Sequence, residues 1–374
     1  MKRIIYITIL ALMLLAACTK PSPAPAPAPE QYDRYIFFSH SVETKAELVE
    51  DAAGLNEKSF GVVGFKYDFY DKDGNEVFWK DHKNTNPTPN VFYDEVVNSE
   101  GTSTYDITPV ETVRVTAGAD GTTADYSPLQ GWSNNKKYAF FAFYPHDLEL
   151  VNLDGDTPYS GGVPAIKYVM DPADLKGSMV DVMTAPANVD RFWQSSAEGG
   201  NNLTNGEVNF AFSHRLSCLG LNIANLSAGT ITLESVAFKI GGIKFHQAVF
   251  SLTDGATLST TAATPTTAEL PLAFAEGENS IEDGATKELS DKLIFIPQEE
   301  DDLSIEVTIN YIREAVNGYA AYSDNFTTRS LTTKLAQGQK HIVNLKFTDS
   351  AVEVIGQVSQ EGWSKTYDVN SSFK

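Results

Sequence analysis

The residues with the clearest potential chemistry are Leu15-Ala16-Ala17-Cys18, near the start of the sequence. A cysteine that follows small residues at the end of an apolar segment is typical of a bacterial lipoprotein, whose signal peptide is cleaved before the cysteine. Lys2 and Arg3 precede the apolar residues 4–17, which is the order of regions in a secretory signal. The sequence therefore predicts a signal peptide over residues 1–17 and acyl chains on the sulfur and amine of Cys18. The alternative is an ordinary signal peptide with a chance cysteine.

The apolar segment is too short to serve as the anchor itself, because a transmembrane helix needs about 20 residues. Lipid on Cys18 would supply the membrane affinity instead, at about 0.8 kcal/mol per buried methylene. We therefore expect the outer membrane to be a partner through this lipid. No other cofactor is predicted.

A proline- and alanine-rich linker is predicted over residues 18–30. Residues 21–29 read PSPAPAPAP, an alternation that favours polyproline II and excludes a helix or a central strand. Such a segment is a semi-rigid spacer. It would hold the following domain away from the membrane.

Charge and cysteine content narrow the class of protein. The formal net charge is −21, which repels nucleic-acid backbones, so no nucleic-acid partner is predicted. Besides Cys18 the sequence has only Cys218, which lies in an apolar strand pattern and is predicted to be a buried, inert thiol. The alternative is a reactive or intermolecular thiol.

The rest of the sequence predicts an all-β fold. Short runs of β-branched and aromatic residues are separated by Gly, Asn, Asp and Pro. In residues 207–212 the apolar side chains Val208, Phe210 and Phe212 alternate with Glu207, Asn209 and Ala211, so one face is buried. A polar stretch near residue 200 predicts the boundary between an N-terminal β-sandwich domain, residues 31–200, and a C-terminal one, residues 201–374. The predicted strands are residues 60–70, 76–80, 112–116, 137–144, 207–212, 216–224, 230–240, 243–252, 292–296, 303–312 and 340–347, with a helix over 45–56.

Signals for enzymatic or metal chemistry are weak. The sequence has no G-x-S-x-G, P-loop, G-x-G-x-x-G, H-E-x-x-H or C-x-x-C motif. Residues 71–76 resemble a calcium loop, but aligning Gly74 with the loop glycine puts Phe69 and Lys80 at ligand positions, so a hairpin turn at Gly74 is predicted. No metal spacing is found among His40, His82, His146, His214, His246 and His341. The chain is predicted not to be an enzyme, although some Asp/Glu pairs at a glycosidase separation are expected by chance.

Several segments, taken in order, resemble the fimbrillin family, the type V pilus subunits and related lipoproteins of Bacteroidetes. These segments are residues 59–65, Trp132 with residues 138–145, residues 181–185, the F-x-F-x-H-x-L-S core of residues 208–219, and residues 335–347 followed by Trp363. The resemblance implies two transthyretin-like β-sandwich domains, export to the cell surface as a lipoprotein, and removal of the first strand by a trypsin-like protease.

The family resemblance places the first strand at residues 35–40 and the cleavage site at Thr44-Lys45-Ala46, with Lys45 where the family usually has arginine. Removing this strand would leave an unpaired groove that a strand of a neighbouring subunit fills by β-augmentation. The alternative is that Lys45 is an exposed loop residue and the strand stays in place. The tail over residues 351–374 is either the donor strand or a last strand with a frayed end.

The sequence thus predicts a stalk, tip or anchor subunit of a cell-surface fimbria that contributes to adhesion. Its partners would be other fimbrial subunits and a host or bacterial surface ligand. Thr19-Lys20-Pro21-Ser22 lacks the acidic cluster often associated with surface export in Bacteroidetes, which leaves a periplasmic orientation open. The alternative function is a monomeric glycan-binding outer-membrane lipoprotein that uses exposed aromatic residues such as Trp79, Trp132 or Trp193.

Overall fold

The computed structural model describes residues 35–42, 59–91, 94–97, 103–106, 113–117, 123–125, 130–193, 207–316, 320–355 and 358–362. These residues are mostly β-strand, as the composition predicts. They belong to one compact unit, Arg34–Lys374. The described part of the chain contains no helix with the length and hydropathy that crossing a membrane requires.

The first sheet is formed largely by the N-terminal strands. Its order is β10-β12-β1-β6-β5-β2-β7-β11, and a further pairing of β10 with β7 closes seven of these strands into a ring. The bounds are β1 Phe37–Val42, β2 Ser59–Asp68, β5 Val113–Ala117, β6 Thr123–Asp125, β7 Lys136–Tyr144, β10 Met183–Thr184, β11 Asn188–Arg191 and β12 Glu207–His214. A separate pair is formed by β3 Asp94–Val97 and β4 Ser103–Asp106.

Two further sheets contain the remaining strands. One has the order β17-β13-β22-β23, with β18 beside β13 and β24 beside β22; the other has the order β20-β19-β14-β9-β8, with β15 and β16 beside β14 and β21 beside β19. The bounds are β8 Glu149–Val151, β9 Ala165–Val169, β13 Ser217–Asn225, β14 Ile231–Ser251, β15 Thr257–Leu272, β16 Ser280–Ile281, β17 Thr286–Glu288, β18 Leu293–Phe295, β19 Gln298–Arg313, β20 Tyr322–Thr327, β21 Leu331–Leu335, β22 Gln339–Phe347, β23 Val352–Val354 and β24 Ser359–Gly362.

Strand pairing crosses the predicted boundary near residue 200 in both directions. β12 follows that residue but pairs with β1 and β10 in the first sheet. β9 precedes it but pairs with β14, with Gln247 opposite Val169. Strands that precede residue 200 therefore pair with strands that follow it. The next strand along the chain after β12 is β13, which belongs to a different sheet. The division into two sandwich domains stays a prediction.

Two cores lie on either side of β2 and β7, because alternate side chains of a strand point to opposite faces. Phe60 and Val62 belong to one buried cluster, together with Phe140. Val63 and Phe65 belong to the other, which extends to β13, β14, β19 and β22. Burial on both faces explains why these two strands are almost wholly apolar.

One predicted strand is wrong and two others are joined. Within residues 76–80, Trp79 begins a single turn of α-helix, α1 Trp79–His82, followed by a 3-10 turn, Lys83–Thr85. Residues 230–252, predicted as two strands, form the one strand β14, in which a bulge at Gly241-Gly242 replaces the break. Gly242 has φ +93°, a conformation that glycine adopts without strain. The predicted helix over 45–56 lies outside the described residues.

Candidate functional site: the first strand and its groove

Strand β1 lies between two neighbours in the first sheet. It pairs in parallel with β12 from Phe37 opposite Glu207 to Val42 opposite Phe212. On its other side it pairs antiparallel with β6, with Phe38 opposite Ala124. Just before β1, the Ile36 N–H donates to the Gln130 carbonyl oxygen at 2.8 Å. The strand predicted over 35–40 is therefore present, shifted by two residues.

On the inner face of this segment, Ile36 and Phe38 are covered apolar side chains. Ile36 and Phe38 are buried, whereas Phe37 between them is 45% exposed. The Phe38 ring meets Phe140 edge-on at 5.6 Å between centroids and Phe210 at 5.4 Å. Burying an aliphatic or aromatic side chain contributes about 1.5–3 kcal/mol. Ile36 and Phe38 together therefore hold this segment in its groove with about 3–6 kcal/mol.

The groove is aromatic along its length. Phe60 packs edge-on against Phe210 and Phe212, and the Trp132 ring packs edge-on against Tyr138 and Phe140. Tyr138 satisfies its hydroxyl by donating to the Gly131 carbonyl oxygen and accepting the Ser133 N–H. The surface on which β1 lies is thus an apolar slot, suited to an extended segment with apolar side chains at alternate positions.

A polar contact between β12 and β1 favours the observed position of β1. The Asn209 side-chain amide donates to the Ser39 hydroxyl at 2.9 Å, and its backbone carbonyl accepts from the Asn188 side chain at 2.8 Å. Ser39 and Asn188 are both buried. Because a buried polar group costs free energy when unpaired, this pair favours the observed register over a slipped one.

The predicted lipidation and cleavage residues, Cys18 and Lys45-Ala46, lie outside the described residues. β1 ends at Val42, three residues before Lys45 in the sequence. Because Cys18 and β1 both precede Lys45, cleavage there would leave the body of the chain attached to them only through the non-covalent contacts of β1. Both sites stay predictions.

Part of the predicted tail pairs within its own sheet. β23 pairs antiparallel with β22, with Val352 opposite Phe347, and β24 pairs with the other half of β22, with Gly362 opposite Gln339. Val352, Val354 and Val358 pack against the larger core. Residues 363–374, including Trp363, lie outside the described residues.

The structure also locates the tryptophans that the alternative glycan-binding function would use. Trp79 and Trp132 are buried, so neither can present an exposed ring to a glycan. Trp193 is partly buried and packs against the core around β1.

Cys218 is fully buried, and burial raises the pKa of its thiol to about 12. That thiol is unreactive at neutral pH, as predicted.

The segment that resembled a calcium loop is a turn. Gly74 has φ +82°, and the Gly74 N–H donates to the Asp71 carbonyl oxygen at 3.0 Å. One oxygen of the Asp71 carboxylate also accepts the N–H groups of Asp73 and Asn75. Among the described residues, no group of three or more histidine, cysteine or acidic side chains could hold a metal ion.

Two polar clusters that contain buried side chains were not predicted from the sequence. His214 Nδ1 lies 2.8 Å from Asp181 Oδ1, with both side chains buried. Lys137 is buried, and its Nζ lies beside the partly exposed carboxylates of Glu76 and Asp190. The partners in each cluster lie far apart in the sequence and match no motif spacing, so only the strand pairing brings them together.

These features define a structural β-protein whose own first strand fills an aromatic groove. The chain belongs to the fimbrillin-like family, whose profile matches residues 88–363. Members of this family are structural and adhesion proteins, and the chain is not an enzyme. Comparison with curated proteins gives no significant match.

A solved structure shows the same fold. A fimbrial protein from Bacteroides vulgatus aligns with a TM-score of 0.55 at 18% identity, covering 89% of this chain and 100% of that one. Proteins described as putative cell adhesion proteins also align. That from Bacteroides uniformis has a TM-score of 0.43 at 14% identity, and that from Bacteroides ovatus 0.46 at 15%; each alignment covers 90% of this chain and 100% of the other.

Proposed function

We propose that this protein is a structural subunit, a stalk, tip or anchor, of a type V-like cell-surface fimbria and that it contributes to adhesion. It is exported to the outer membrane as a lipoprotein through Cys18 and assembles by strand exchange. The observation that carries the proposal is the placement of β1, a short N-terminal strand between β12 and β6 over an aromatic groove. Membership of the fimbrillin-like family supports it.

Loss of β1 would create a binding site for a strand. Its two neighbours, β12 and β6, would each expose a row of unpaired N–H and C=O groups, and the slots of Ile36 and Phe38 would face water. An incoming strand with apolar side chains at alternate positions would restore both the ladders and the core. Cleavage after Lys45 makes this possible because the strand is then no longer covalently joined to β2.

The C-terminal segment is the proposed donor. Beyond β24 its sequence carries apolar residues two apart at Tyr367 and Val369, which is the spacing of Ile36 and Phe38. Donor and acceptor are different surfaces of one chain, so each subunit would bind the next head to tail and form an open filament. The partner is therefore another fimbrial subunit, a second copy or a relative.

The experiment is limited trypsin treatment of the purified full chain, followed by electron microscopy and electrophoresis without boiling. We expect the wild type to release the segment that contains β1 and to form a ladder of oligomers. Lys45→Ala should stay monomeric, and deletion from Trp363 onward should stop growth because the donor is shortened. Lys80→Ala, which removes an exposed lysine of α1, is the control and should behave as the wild type.

Other cuts need to be distinguished from the proposed one. Arg34 and Lys58 flank the same region, so the released peptide is sequenced in each digest. Ladders from both Lys45→Ala and the tail deletion, equal to those of the wild type, would refute assembly by these segments. That result would favour the monomeric glycan-binding lipoprotein.

A further inference from the structure

Lys137, on β7, has a buried side-chain amine. Its side chain is only 1% exposed, and its Nζ lies 4.0 Å from the centroid of the Phe78 ring and 4.7 Å from that of Phe69. The Nζ donates to the Val77 carbonyl oxygen at 2.8 Å. A lysine amine that is removed from water in this way is a nucleophile once it has lost a proton.

Two carboxylates face this amine. Glu76 Oε1 lies 2.7 Å from Lys137 Nζ, and Asp190 Oδ1 lies 4.0 Å from it. Glu76 is therefore close enough to exchange a proton with the amine. Oδ1 is thus the Asp190 atom that faces the amine. Attack requires Nζ to lie about 3–3.5 Å from the carboxyl carbon, so the side chains must move for the two atoms to react.

Asp190 is held by donors that converge on one of its oxygens. The Tyr67 hydroxyl and the Trp79 N–H donate to Asp190 Oδ1 at 2.9 and 2.8 Å. Burial, and then the charge of Asp190, raise the pKa of the Tyr67 hydroxyl, which keeps it protonated as a donor. Two donors on one carboxyl oxygen have the arrangement of an oxyanion hole, which stabilises the negative charge that forms when a nucleophile adds to the carbon.

The backbone at Asp190 is also unusual. Asp190 has φ +54°, in the left-handed region that non-glycine residues seldom adopt. Its N–H donates to the Tyr67 hydroxyl oxygen at 3.2 Å, so the two residues hold each other by two hydrogen bonds. Backbone of this kind concentrates at functional sites. In this conformation Asp190 Oδ1 lies 4.0 Å from Lys137 Nζ.

We propose that Lys137 and Asp190 join in an intramolecular isopeptide bond, with Glu76 as the catalytic acid and base. The bond would link β7 covalently to β11, two strands that already pair through Asn188 opposite Phe140 and Arg191 opposite Tyr138.

The reaction is a condensation that needs no further reactant. Glu76 takes one proton from the Lys137 ammonium and passes it to Asp190, which leaves a neutral amine beside a neutral acid. The amine adds to the Asp190 carboxyl carbon while Oδ1 carries the developing charge. Glu76 then moves a second proton from nitrogen to the hydroxyl, the carbon–oxygen bond breaks, and one water leaves. The neutral amide replaces the Lys137 ammonium and the Asp190 carboxylate, and Glu76 returns to its initial protonation state.

The surroundings favour the amide over the ion pair. A charged amine that is removed from water pays a desolvation cost that its partners must offset. Lys136 next to it is a useful contrast, because its Nζ pairs with Asp68 at 2.6 Å while its own side chain is 36% exposed, against 1% for Lys137. The carboxylates at both positions are partly exposed, Asp68 at 71%, Glu76 at 44% and Asp190 at 29%. In the described contacts, no converging donors hold the Asp68 carboxylate. The same two residue types are therefore expected to react at one position and not at the other.

The test is peptide mass spectrometry of the full wild-type chain, denatured and digested with trypsin. The proposal predicts a branched peptide in which residues 137–167 are joined to residues 177–191, lighter than the sum of the two by one water. Asp190→Asn should give the same link with loss of ammonia instead. Glu76→Gln should reduce the linked fraction at least tenfold, and Lys137→Arg should abolish it.

Lys136→Arg is the matched control and should retain the full linked fraction. The wild-type measurement decides the proposal without depending on whether a variant folds. Recovery of residues 177–191 only as a linear peptide from the folded wild type would overturn it, and would assign Lys137 to an ion pair alone. A link that survives in Glu76→Gln at the wild-type level would overturn the role of Glu76.

Discussion

Truncation of Phe38 should loosen β1 more than any change on its exposed face. Phe38 is 2% exposed and contacts the rings of Phe140 and Phe210. Truncation of a buried phenylalanine to alanine costs about 3–5 kcal/mol, and the lost ring pairs are part of that cost. Phe38→Ala should therefore lower the free energy of opening of β1 by about 3 kcal/mol. At about 1.4 kcal/mol per factor of ten, this is roughly a 100-fold effect.

Hydrogen exchange of the β1 amides measures this opening directly, because local unfolding need not involve the whole chain. We expect exchange in residues 37–42 to be about 100-fold faster in Phe38→Ala than in the wild type. Phe37→Ala is the control on the neighbouring residue, which is 45% exposed, and it should change exchange by less than about tenfold. Equal acceleration in both variants, or none in Phe38→Ala, would refute the conclusion that the groove holds β1 by its inner side chains.

Three other predictions concern distant parts of the chain. Metabolic labelling with a palmitate analogue should mark the wild type and spare Cys18→Ala; equal labelling would refute lipidation. His341 is fully buried, accepts the Ala336 N–H at 3.2 Å, and has its pKa lowered by burial from 6.5 to about 4. Stability should therefore fall, by up to about 3 kcal/mol, as the pH drops from about 6.5 to 4, and urea titrations of His341→Gln should lack this contribution. A fragment over residues 205–374 should fold cooperatively if the two-domain prediction holds, but at a lower urea midpoint than the full chain because it lacks β9; a fragment that stays unfolded would contradict independent domains.

Hydrophobic patterns in the sequence predicted the strands that bury one or both of their faces. The alternation of Val208, Phe210 and Phe212 located β12, and the apolar run of residues 137–144 located β7 almost to the residue. β15 was missed because its residues are rich in threonine, alanine and proline and mostly exposed on both faces, so no period appears. Its pairing with β14 overrides weak local propensity.

The helix at Trp79 shows a different limit. Residues 76–80 have the aromatic composition of a strand, but the Trp79 N–H bonds to Asp190, 111 residues away, and its ring is buried against Phe65 and Phe141. The cluster around Lys137 depends on the same long-range contacts. Sequence patterns report the period of an element, whereas these sites depend on which elements the topology brings together.

The path from β12 into β13 has a mechanical consequence. These consecutive strands belong to different sheets, and each has a parallel partner, β1 for β12 and β22 for β13. In a filament where a neighbour supplies the strand in the position of β1, a pull on that strand loads the ladder with β12 along its length, in shear. The load passes through two residues into β13 and then into its eight-residue ladder with β22. In shear many hydrogen bonds must break together, so tension along the fibre would be borne by these two parallel ladders in series.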